Sequence, residues 1–95
     1  MKTYLLVFDD GNGDELDRRG FVDTLDENAE MMELDAHVCF LRSQLSVSEL
    51  SNRFLRFAGS RLFYIADVSS SEFAGRMPGV YWDFIKGKSL ASAAE

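Results

Sequence analysis

A single cysteine, Cys39, excludes an intramolecular disulfide, and a lone thiol inside an apolar run behaves as a small hydrophobe, which fits a reducing, cytoplasmic setting. With one cysteine and one histidine there is no Cys/His cluster for zinc, and no Ser/His/Asp set follows from spacing alone. No basic stretch precedes the first apolar run. That run is far shorter than the roughly 18 apolar residues a membrane span requires, so the chain reads as soluble and unexported, with no membrane partner. Internal repeats, interdomain linkers and long low-complexity tracts are missing as well. What remains of the 95 residues is one domain over 1–88, near the lower size at which a core supports itself without disulfides or metal, and a tail over 89–95 expected to be disordered.

Charge is plentiful but unevenly placed. Residues 1–41 carry three basic and eleven acidic side chains, residues 42–88 seven basic and four acidic, within a net charge of −6. The second half can present a basic face, yet the acidic total repels polyanions, and helix surfaces need solvated charge in any case.

The chain is organised around Tyr4-Leu5-Leu6-Val7-Phe8, an unbroken apolar run that ends in Asp9 and Asp10. Side chains alternate across a strand, so five apolar residues in a row ask for cover on both faces of the sheet. Gly11-Asn12-Gly13 reads as a turn. Asp14 is then expected to cap a helix reaching about Asn28, with Leu16, Phe21, Val22 and Leu25 as its buried stripe. Ala29–Ala36 alternates as a half-polar edge strand, and Val38–Leu41 is again apolar on both faces, a second central strand. Ser46 and Glu49 stand at the spacing of a capping box, and Leu45 and Leu50 at that of a hydrophobic staple. The helix they open is expected to bury Val47, Leu50, Phe54 and Phe57 and to stop at Gly59. Leu62–Ala66 gives a fourth strand. A short turn of helix is placed around Glu72–Ala74, and Val80–Ile85 docks as a fifth strand or a terminal helical turn.

Strand, helix, strand, strand, helix, strand describes an α+β ferredoxin-like sandwich, a four-stranded antiparallel sheet with both helices on one face and an extra C-terminal segment. Two helices cover one face only. The other needs the C-terminal segment with Tyr81, Trp82, Phe84 and Ile85, or a second copy of the chain. A homodimer through the open sheet face is expected, because a long apolar patch on a monomer is a liability.

Leu6-Val7-Phe8-Asp9, Val38-Cys39-Phe40-Leu41, the Ser46-Val47-Ser48-Glu49-Leu50 helix opening and Ser60-Arg61-Leu62-Phe63-Tyr64-Ile65 together resemble the SinR-like family. That family is in turn similar to the small CRISPR-associated adaptation protein that pairs with the spacer integrase. The similarity runs over residues 3–68 and is mostly one of pattern. It implies a ferredoxin-like homodimer in which Asp9 faces its twin across the two-fold axis. Among the CRISPR relatives, the matching aspartate is the proposed ligand of a divalent metal in a phosphodiesterase, although many members act as scaffolds for DNA. This chain departs from the nuclease pattern in being acidic and in lacking a dense basic stripe beyond Arg18 and Arg19 on its first helix.

Two function classes follow. The first is a non-catalytic dimeric interaction module. The second is a metal-dependent nuclease in which Asp9 and Asp10 hold Mg²⁺ or Mn²⁺, hard cations that take oxygen ligands, and the metal activates water and neutralises a phosphodiester transition state. The plainer role for both aspartates is to start the turn. His37, at the start of a central strand, can bond a phosphate or shuttle a proton, or can simply sit at the hairpin turn. Arg42, Arg53 and Arg56, with Arg61 nearby in sequence, can meet nucleic-acid phosphates beside Tyr81 or Trp82, or serve as ordinary surface charge around core aromatics. Asp10, Asn12 and Asp14 imitate a calcium loop, but Glu15 and Phe21 replace its required glycine and terminal acid. Gly11-Asn12-Gly13 lacks the spacing and the lysine of a phosphate cradle.

Overall fold

A computed structural model describes residues 1–11, 15–69 and 74–85. Its elements are β1 (Lys2–Phe8), α1 (Arg18–Asp23), β2 (Glu30–Asp35), β3 (Val38–Ser43), α2 (Val47–Ala58), β4 (Phe63–Asp67) and α3 (Gly79–Ile85). The protein is α+β, with one four-stranded sheet in the order β2-β3-β1-β4 and every neighbouring pair antiparallel. β1 and β3, whose apolar runs ask for cover on both faces, occupy the centre.

One face of the sheet carries the main core. Alternation along β1 sends Tyr4, Leu6 and Phe8 to this side, beside Cys39 and Leu41 of β3, and Phe21 of α1 and Leu50, Phe54 and Ala58 of α2 close over them. Phe54 is the hub, with its ring centroid 5.0 Å from that of Phe21 and 4.8 Å from that of Phe63, both edge-on. Tyr4 is buried yet keeps its hydroxyl satisfied by donating to the Leu45 carbonyl at 2.7 Å. Burial raises its pKa, with Asp67 and Glu49 acting in the same direction.

α2 begins as its sequence dictates. Ser46 accepts from the Glu49 amide and Glu49 returns to the Ser46 amide, a complete capping box, and Gly59 ends the helix at φ 60°, where a side chain is strained. One expected contact fails: Val47 is 42% exposed, because its side of α2 overhangs β4, the last described strand of the sheet. α1 is shorter than expected. Asp17 caps it by accepting from Gly20, Leu16 packs into the core from before the helix, and Asp14, expected as the cap, lies with Asn12 and Gly13 outside the described residues. Past its end, Asp26 accepts from the Ser43 hydroxyl and the Gln44 amide, tying the α1–β2 connection to the end of β3. Burial works against the charged form of Asp26, but these hydrogen bonds win and its pKa is lowered.

Part of the opposite face is covered by α3, so Val80–Ile85 is helix. Tyr81, Phe84 and Ile85 stand at helical spacing and, with Trp82, pack on Leu5, Met32 and Phe40. Arg42 fastens this layer. It is 4% exposed, donates to the Phe84 carbonyl at 2.6 Å, lies 4.3 Å over the Phe84 ring, and pairs with Glu30 at 3.5 Å. The register makes cross-sheet rows on this face: Met32, Phe40, Leu5 and Ala66 in one, Val38, Val7 and Tyr64 in the next. α3 packs on the first row. The second keeps Tyr64 66% exposed, and Leu62 beside it is 76% exposed, although both are apolar residues of the expected fourth strand. The tail at 89–95 and most of the turn expected at 72–74 lie outside the described residues.

Phe84→Ala removes both the buried ring and the surface on which Arg42 stacks. A fully buried phenylalanine is worth about 3–5 kcal/mol, a ceiling set here by what α3 docking contributes. The expected outcome is a red-shifted Trp82 emission at a temperature where the sheet still gives its native circular dichroism. Unchanged emission would contradict the docked arrangement.

Candidate functional site

Three strand ends meet at one rim of the sheet. β1 leaves through Asp9 and Asp10, the β2–β3 hairpin turns at Ala36 and His37, and β4 enters after Arg61 and Leu62. Backbone bonds lock them together: the Phe8 amide donates to the His37 carbonyl at 3.1 Å, and the Asp9 amide to the Leu62 carbonyl at 3.0 Å. A cleft of about 310 Å³ opens here, lined by Asp9, Asp10, Glu15, Arg18, His37 and Arg61 among others. The fold thus gathers the three residues singled out for chemistry, Asp9, Asp10 and His37.

Their geometry gives each a definite role. Asp9 Oδ1 accepts from the Gly11 amide at 3.0 Å and the Leu62 amide at 3.1 Å, so the carboxylate shapes the turn and clips β4 onto β1. Gly11 has φ 61°, and a Cβ there would meet the Arg61 side chain at 2.8 Å, so glycine is required at this point. Asp10, with its side chain 77% exposed, pairs through Oδ1 with His37 Nε2. The imidazole stands edge-on to Phe8, 5.8 Å between centroids at 85°. A carboxylate that orients an imidazole is the arrangement proton transfer uses, although this one is open to solvent.

Arg18 completes the rim. Its guanidinium donates to the Ala36 carbonyl at 2.7 Å, lies 3.2 Å from a Glu33 carboxylate oxygen and sits 5.6 Å over the Phe8 ring. Glu15, Arg18 and Arg61 were not picked out from sequence as parts of this cleft. The signal available was the antiparallel register, since pairing Val7 with Val38 places residues 36 and 37 beside Phe8 and Asp9.

Among the described residues that line it, the cleft holds no strong nucleophile. Cys39 is buried beneath the sheet face, and burial pushes its thiol up to about 12, beyond reach as a thiolate at neutral pH. Among the described residues no group of three or more His, Cys, Asp or Glu side chains is placed to hold a metal ion.

The arginines considered for nucleic acid are dispersed. Arg42 is buried under α3 on one face of the sheet. Arg53 belongs to α2 on the other, where it donates to the Thr24 carbonyl and joins α2 to the end of α1. Arg56 is exposed on α2, and Arg61 lies at the rim, donating to the Ala58 carbonyl at 3.2 Å. Tyr81 and Trp82 are half-buried in the α3 layer, with the Tyr81 hydroxyl on the Glu33 carbonyl at 3.0 Å.

Among the described residues no helix is long and apolar enough to cross a membrane. No family model, curated protein or solved structure matches the chain.

Asp9→Ala removes an acceptor shared by two amides and is expected to cost about 1–2 kcal/mol, whereas Asp10→Ala, at an exposed ion pair, costs under about 0.5 kcal/mol. Urea unfolding of the two variants beside wild type checks the order; equal losses would remove Asp9 from its structural role.

Proposed function

We propose that this protein is a non-catalytic, dimeric interaction module of ferredoxin-like topology, of the SinR-like type. The topology is supported by the strand order, in which β1 and β3 are central and each helix crosses between strands separated by one neighbour. The observation that carries the functional reading is the second face of the sheet. α3 takes the row built on Phe40 and leaves Val7, Leu62 and Tyr64 lining a shallow cleft of about 350 Å³ with large apolar surface in water. A second copy of the chain on this strip removes that surface, so the homodimer expected from sequence is narrowed to the part of the face that α3 does not occupy.

The rim supports a second reading. Asp9, Asp10 and His37 share one cleft with Arg18 and Arg61, and a carboxylate from each of two subunits would add to the oxygen ligands that the described residues of one chain bring together. In a Mg²⁺- or Mn²⁺-dependent phosphodiesterase the metal would activate water, with the arginines meeting phosphate charge. The turn-forming duty of Asp9 favours the module, because its Oδ1 already serves two amides.

The test is cleavage of labelled single-stranded RNA, single-stranded DNA and duplex DNA with Mg²⁺, Mn²⁺ or EDTA, by wild type and Asp9→Ala, each verified as folded. The module reading expects no metal-dependent activity above the variant. Cleavage that needs metal and disappears in Asp9→Ala would replace it with the nuclease.

A further inference from the structure

The two edges of the sheet are built differently. The outer strand β2 carries Glu30, Glu33 and Asp35, its register shifts between Glu33 and Asp35, and the Tyr81 hydroxyl occupies the Glu33 carbonyl. Charge, irregularity and a covered carbonyl are the devices by which natural sheets prevent edge pairing. β4, the other outer strand, has none of them across its middle. Phe63, Tyr64, Ile65 and Ala66 are uncharged, and the pairing with β1 runs without a shift from Tyr4 with Asp67 to Phe8 with Phe63.

The hydrogen-bond phase of β4 follows from two contacts. The Asp9 amide donates to the Leu62 carbonyl and the Val68 amide to the Thr3 carbonyl, so Leu62, Tyr64, Ala66 and Val68 turn their backbone groups toward β1. By alternation, the amides and carbonyls of Phe63 and Ile65 point outward. Among the described residues no strand lies beyond them. A groove of about 370 Å³ runs along this edge, lined by Val47 and Ser51 of α2 and by Phe63, Tyr64 and Ile65. Val47, Ser51 and Leu55 form one stripe of α2, with Val47 42% and Leu55 58% exposed.

We propose that a second copy of this chain pairs with β4 edge to edge, antiparallel, with the two-fold axis at Tyr64, making one continuous eight-stranded sheet. This rests on the dimer reading above but sets the copy beside β4 and not over the strip, so that Leu62 and Tyr64 gain cross-strand neighbours while Val7 does not. The strand is self-complementary about that residue: Phe63 falls opposite Ile65 of the partner subunit, and Leu62 opposite the partner's Ala66. Arg61, two residues ahead of the strand, falls opposite the partner's Asp67, whose carboxylate within its own chain meets Lys2 at 3.4 Å. The self-paired Tyr64 stands in a non-hydrogen-bonded position, where cross-strand side chains approach most closely, and its neighbours Phe63 and Ile65 use the outward amides and carbonyls. Shifting the axis to Ile65 keeps hydrogen bonds but loses the match of Arg61 with acid. Self-complementarity of this kind selects a copy of the same chain over an unrelated strand.

Two measurements on the full chain test the pairing. Light scattering gives the mass, and amide exchange by NMR is followed at concentrations below and above dimer formation. The amides of Phe63 and Ile65 are expected to slow by about tenfold or more in the dimer. In parallel, Tyr64→Cys is treated with a mild oxidant. A self-paired non-hydrogen-bonded position has a Cα separation of about 4.5 Å, within disulfide range, so a covalent dimer should form. Wild type, with Cys39 buried, should give none. A dimeric mass with fast Phe63 and Ile65 exchange and no cross-link at residue 64 overturns the edge pairing while leaving a face-to-face dimer. A monomer at every concentration overturns both.

Discussion

The constraint on which the rest of the structure depends is that β1 and β3 are apolar on both sides while only two helices follow them closely in the chain. Burial of apolar area at about 25 cal/mol per Å² is the main favourable term available to a chain of this size, and it cannot be spent on one face alone. The main core under α1 and α2 answers half of the constraint. α3 answers part of the remainder, and it does so through Arg42, a cation of β3 that meets Phe84 of the helix laid over it and Glu30 of the neighbouring strand. The remaining strip, with Tyr64 and Leu62, is where the fold is incomplete by its own logic.

That view separates two neighbouring regions, which meet at Asp9 and Leu62, by kind of chemistry. The rim, where Asp9, Asp10 and Glu15 face Arg18, Arg61 and His37, is polar and already engaged in holding its own backbone. The β4 side is apolar, with outward backbone groups and an overhanging helix stripe. Polar groups at a strand exit are ordinary turn chemistry. Large apolar side chains exposed together on an edge strand are not ordinary surface, and the proposal of association rests on them.

Much of the fold was legible because its signals were local. Ser46 and Glu49 announced α2 through a reciprocal pair of hydrogen bonds within one turn, and the continuous runs at Tyr4–Phe8 and Val38–Leu41 marked central strands because only a strand covered on both faces tolerates them. The start of α1 was not legible: Asp14, Glu15 and Asp17 all suit a helix N-terminus, and the choice of Asp17 depends on where Leu16 and Phe21 meet the core. α3 was ambiguous as a short apolar run, and its helical form follows from spacing Tyr81, Phe84 and Ile85 over Phe40. Val47 and Tyr64 read as buried by pattern and are exposed, since a pattern records what a residue prefers and the edge of a sheet decides what it receives. The site was half legible. Asp9 and Asp10 stood out at the end of β1, but the approach of His37 from 27 residues away is set by strand register.

Sedimentation velocity over a concentration series compares wild type with the double variant Leu62→Lys, Tyr64→Lys, both positions being exposed in the single chain. The account expects wild type to move from monomer to dimer, and the variant to stay monomeric with the same circular dichroism and thermal stability as dilute wild type. A variant that associates as wild type does would show that the uncovered strip of the sheet is not where this protein meets its partner.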